Sequence, residues 1–163
     1  MRALALASLL IGCGAAPPHT APPPTPTTTT TTAARFADHG PITLRSRAPE
    51  AQPPFYAELA ADGSVTGTRC GATRFTDEGV LEREGAVVAR VSDALAIETA
   101  DGTPTGWHVE GDALIGSGFT LASGAITSSD AELPAIAVDP ATSENTLVLA
   151  LFATLLVCDD AGP

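Results

Sequence analysis

The chain contains no lysine, and its eight basic residues are all arginine. From Glu50 onward four arginines stand against eighteen aspartates and glutamates. Such a surface repels nucleic acid phosphates and anionic lipid headgroups, so binding of either is not expected. Aromatic residues are scarce, with one Trp, one Tyr and five Phe. The core must therefore be aliphatic and modest in size. Three histidines are too few and too scattered for a zinc site, which needs three or four clustered ligands. There is no phosphate loop, dinucleotide fingerprint or EF-hand loop, so no cofactor is expected. Nor is there a long apolar run. The longest after the first dozen residues is Leu147 to Val157. Eleven helical residues span roughly 16 Å, about half the apolar thickness of a bilayer.

The N-terminus does carry a signal. Arg2 is followed by an apolar run from Ala3 to Ile11, too short to span a membrane. A positive start, a short apolar segment and a small residue at the cut describe an export peptide. Leu10-Ile11-Gly12-Cys13 resembles the lipobox of bacterial lipoproteins: an aliphatic residue, a variable one, a small one, then cysteine. The resemblance covers the first 13 residues only. It implies cleavage after residue 12, lipidation of Cys13, and stable anchoring by several acyl chains. Gly14 in place of Asp is similar to the pattern that sorts such proteins to an outer membrane. The expected location is the bacterial envelope, at the outer membrane or cell surface.

Residues 13–54 read as a tether. Pro, Thr and Ala dominate to residue 34, with an unbroken run Thr27 to Thr32. This composition buries little and stays extended, reaching roughly 30–40 Å. Residues 35–54 continue the spacer, with His39 inside it and Ile42-Thr43-Leu44 as a short edge strand between Pro41 and Pro49. Residues 55–163 form the folded domain. Export places Cys70 and Cys158 in an oxidising compartment, where one bridge between them is the simplest account.

The domain is expected to be mainly β, a small antiparallel meander of short hairpins. Turn signals such as Asp62-Gly63, Glu84-Gly85 and Asp101-Gly102 recur every 8–12 residues. An offset of 39 aligns Ala61–Gly67 with Ala100–Gly106, which suggests duplicated units at 55–93 and 94–132. Asp139-Pro140 has the form of a helix start, so a C-terminal helix is expected over about 140–158. Apolar throughout, it should pack on the sheet with Leu147, Leu151, Leu155 and Cys158 toward the strands.

Chemistry is thin. Ser117 lies in Gly-Ser-Gly, not in a nucleophile elbow. The candidates for a ligand site are Trp107, His108, Asp112 and Ser117. The reading is a lipid-anchored, non-enzymatic structural or binding module for an unknown envelope protein or ligand. The alternatives are an enzyme or ligand carrier whose site only the fold assembles, and assembly through an open sheet edge.

Overall fold

In a computed structural model, residues 35–37, 39–47, 54–67 and 70–160 are described. The expected export peptide, Cys13 and the Thr/Pro tract lie outside the described residues. Twelve antiparallel strands precede one helix. They are β1 (Ile42–Ser46), β2 (Tyr56–Leu59), β3 (Ser64–Gly67), β4 (Thr73–Phe75), β5 (Val80–Arg83) and β6 (Ala86–Val91). Then come β7 (Ala96–Thr99), β8 (Pro104–Glu110), β9 (Ala113–Ile115), β10 (Phe119–Ala122), β11 (Ala125–Ser128) and β12 (Ile136–Asp139). The helix α1 spans Asn145–Asp160. Each strand pairs with its neighbours in sequence, and β1 closes the ring by pairing with β12 on one side and β2 on the other. The expected meander is thus present, and it is a closed barrel.

Closure corrects two expectations. Ile42-Thr43-Leu44 belongs to a strand paired on both sides, not to an edge in a spacer, so the folded domain begins by Arg35 rather than at residue 55. A closed ring also leaves no free edge for strand addition. Strands alternate buried and exposed side chains. Ile42, Leu44, Leu59, Val65, Phe75 and Leu81 are essentially inaccessible, while Arg45, Glu58, Arg74, Glu82, Arg90 and Glu98 belong to the outward set. A polar exterior, an apolar interior and strands of three to seven residues invert the pattern of a membrane-spanning barrel.

The interior is filled by α1. Leu147 through Leu155 are buried without a break, so no face of that stretch meets water. The Phe152 ring lies 5.4 Å from Phe55, just before β2, and 5.0 Å from Phe119 on β10, edge-on to both. Those walls are four strand spacings apart, ~19 Å, more than an outer helix could bridge. The helix also packs against β6, β7, β8 and β9. It is therefore enclosed, which explains an apolar run with no polar stripe. It begins at Asn145 rather than near residue 140, because Asp139 is still paired in β12 and a turn over residues 140–144 intervenes.

A meander sends successive turns to opposite ends of the barrel. One end, the lower rim, carries the β2–β3, β4–β5, β6–β7, β8–β9 and β10–β11 turns and the start of α1. The first three of these repeat every 16 residues. The amides of Ala60, Thr76 and Ser92 donate to the carbonyls of Ser64, Val80 and Ala96, and Gly63, Gly79 and Leu95 all have positive φ. By contrast, an offset of 39 spans five strands and matches a lower turn to an upper one. The likeness is a shared Asx turn. Asp62 Oδ1 accepts from the Ser64 amide, and Asp101 Oδ1 accepts from the Thr103 amide.

The lower rim is closed by the segment before β1. Arg35 donates to the carbonyls of Glu78, Val91 and Ser92. Phe36 is 3% exposed, its ring 5.5 Å from Phe75, and its amide donates to Asp77 O. His39, read as part of the tether, is buried with Nε2 3.8 Å from Asp77.

Candidate ligand cavity

The upper rim holds a cavity of about 720 Å³. It is lined by Val88 of β6, by Thr99, Ala100, Asp101 and Thr103 of the β7–β8 hairpin, by Thr105 and Trp107 of β8, and by Val157 near the end of α1. That size suits a small organic ligand.

Two irregularities shape it. Between β5 and β6 the register slips at Leu81/Glu82, leaving Val88 without a partner beside Ala89. Between β7 and β8 it slips again, so Ile97 alone faces the stretch from Thr105 to Trp107. Gly106 sits there at φ +85°, a conformation that favours glycine. The lower-rim pattern records the same insertion. Phe75 N reaches Gly63 O and Val91 N reaches Gly79 O, each twelve residues back, but Val109 N reaches Leu95 O, fourteen back. Bulges re-aim side chains and are common beside functional sites. Here both fall on the cavity wall.

The polar groups of the cavity are mostly engaged with one another. Thr99 Oγ1 donates to Asp101 Oδ1 at 2.5 Å. Thr105 Oγ1 donates to Ile97 O at 2.9 Å and accepts from the Trp107 amide at 3.2 Å. Hydrogen bonds from Thr99 and Thr103 hold the Asp101 carboxyl below the usual range, so it is ionised at neutral pH. Arg90, on the outward set of β6, donates through Nη2 to Ala100 O at 3.1 Å.

The four candidates from the sequence do not form one site. Trp107 lines the cavity. His108, the next residue, is on the outer wall, its side chain 43% exposed and 3.8 Å from Glu110. Asp112 is at the lower rim, where Asn145 Nδ2 donates to it at 2.6 Å. Ser117 is at the upper rim and donates to Leu114 O at 2.7 Å. Asp112 and Ser117 occupy opposite ends of β9, at least ~10 Å apart at 3.3 Å per residue. That is beyond direct proton transfer. Thr99, Asp101 and Thr105 were missed because Asp101-Gly102 reads as a turn. Counting strands from Asp62 would have placed Asp101 at the other rim.

The cysteines need a correction. Cys70 and Cys158 are buried free thiols, not a disulfide. They are neighbours: a hydrogen bond to Cys158 joins burial in raising the Cys70 thiol far above its ordinary value. Cys70 Sγ also donates to Leu155 O at 3.3 Å, a contact that commits the sulfur to the helix backbone.

Among the described residues no group of three or more His, Cys, Asp or Glu could hold a metal ion, and no helix is long and apolar enough to cross a membrane. Compared with protein families, curated proteins and solved structures, the chain matches none.

Proposed function

We propose that this protein is a small-ligand binding module, non-enzymatic, held at a bacterial envelope by lipid on Cys13. One observation carries the binding role. The barrel is sealed by Phe36 and Arg35 at one rim and opens at the other into a 720 Å³ cavity, at the two places where strand register breaks. Bulges are common at barrel rims and beside binding sites, and here both of them border the same open space. The scattering of His108, Asp112 and Ser117 favours binding over catalysis. The anchor rests on Leu10-Ile11-Gly12-Cys13.

Two experiments test this reading. In a thermal-shift screen of small molecules, ligands that raise the melting temperature of the full chain should lose their effect with Thr105→Trp, which puts a bulky ring into the cavity. Shifts that persist in that variant would place binding elsewhere. In an exporting bacterium, Cys13→Ser should abolish incorporation of a labelled fatty acid and move the protein from membrane to soluble fractions. Unchanged labelling would remove the anchor.

A further inference from the structure

Building on the cavity as the binding site, we propose that its ligand is an organic ammonium ion carrying an apolar body. The inference follows from which hydrogen-bonding capacity is left over. The hydroxyls of Thr99 and Thr105 point their protons at Asp101 and at Ile97 O, and that of Thr103 also bonds Asp101. What remains at the mouth is acceptor capacity: the second carboxylate oxygen of Asp101 and the lone pairs of the threonines. Among the described residues the indole N–H of Trp107 makes no hydrogen bond, and it is the donor left over in this set of Thr, Asp and Trp side chains. A sugar needs donors and acceptors in similar number, and a carboxylate or phosphate needs donors. This wall offers neither balance.

Charge points the same way. The C-terminal end of α1 reaches the cavity at Val157, and its last turn has no basic residue. The helix therefore presents its negative pole to the space, which favours a cation. The chain's net charge of −11 attracts cations at a distance. Trp107 lines the space with an indole, the best of the aromatic groups for a cation. Val88 and Val157 give the apolar body somewhere to lie. Against these stands Arg90, whose Nη2 donates to Ala100 O on the outer side of the hairpin while its buried Nε has no partner among the described residues. It opposes a cation, and its removal should help one.

Trp107 is the only tryptophan, so its fluorescence reports on the site directly. The full chain is titrated at low ionic strength with phenethylammonium chloride, 2-phenylethanol and sodium phenylacetate, three probes of similar body and different charge. The expected result is a saturable change in emission with the ammonium, at least tenfold weaker binding of the alcohol, and weaker binding still of phenylacetate. Asp101→Asn keeps the Oδ1 acceptor for Thr103. It should weaken the ammonium about tenfold and leave the alcohol unchanged. Arg90→Gln should strengthen the ammonium two- to threefold, an effect of opposite sign that lost packing would not give. If the alcohol or phenylacetate binds as tightly as the ammonium, the cationic class is overturned while the cavity stands as a binding site. If no probe changes the emission, the cationic class is overturned; if in addition Thr105→Trp abolishes no thermal shift in the wider screen, the cavity itself is overturned.

Discussion

The two ends of this barrel are built from the same hairpins and finished in different ways. At the lower rim three turns repeat with one hydrogen-bond pattern at 16-residue spacing, and the segment before β1 lies across them. Phe36 fills the opening and Arg35 ties it to three backbone carbonyls. At the upper rim the β7–β8 turn keeps that hydrogen-bond pattern, but β8 carries two extra residues opposite Ile97, the bulges displace Val88 and Trp107, and a cavity results. Regular repetition produces a surface that one aromatic plug can close. Interrupted repetition leaves a space, and that space holds the polar groups that give it chemical character.

The largest expected contrast is between the two aromatic residues. Phe36→Ala removes a fully enclosed ring from the lower plug and should cost about 3–5 kcal/mol. Trp107→Ala removes a half-buried ring beside a space already open, so urea denaturation should show a smaller loss. Equal losses would mean that the upper rim is as tightly packed as the lower.

Next come two glycines with nearly the same backbone. Gly79 has φ +87° and Gly102 has φ +83°. A Cβ at Gly79 would meet Phe36 Cε2 at 2.7 Å and Val91 Cβ at 3.2 Å, whereas nothing lies within 4 Å at Gly102. Gly102→Ala carries only backbone strain, about 1 kcal/mol. Gly79→Ala adds a collision with the plug and should cost about 2–4 kcal/mol. Thermal melts of the two variants sharpen the comparison, and a similar cost for both would remove the plug from the account.

The smallest effect concerns what the rims share. Hydrogen bonds from Ser64 and from Thr99 and Thr103 lower the values of Asp62 and Asp101 below the ordinary 3.8. A carboxyl whose folded-state value is depressed stabilises the fold above its unfolded value, and loses that contribution as pH falls through the folded one. Acidification below about pH 4 should therefore lower the melting temperature. The decline should be slightly shallower in Asp62→Asn with Asp101→Asn. Both sites are fully exposed, so the difference will be small.

The sequence made the strands legible and the ring illegible. Asp62-Gly63 and Asp101-Gly102 announce tight turns through local chemistry, so a meander could be read. Closure depends on Leu44 meeting Val138, a pairing across 94 residues that no local pattern encodes. The proline-flanked Ile42-Thr43-Leu44 therefore looked like an edge within a tether. The apolar run of α1 was legible as a buried helix, but its full enclosure follows only from the ring around it. Trp107 could be named as a candidate from the sequence. Its partners Thr99 and Thr105 could not, since the bulge that gathers them arises from the mismatch of two strands.

The central claim is that α1 runs through the inside of the barrel. Nuclear Overhauser contacts of the Phe152 ring, in a sample labelled selectively at phenylalanine, test it most directly. Centroid separations of 5.4 Å to Phe55 and 5.0 Å to Phe119 predict contacts to both rings at once. Contacts to only one of them, with rapid amide exchange along one side of Val148 to Leu155, would put the helix outside the wall and contradict the account.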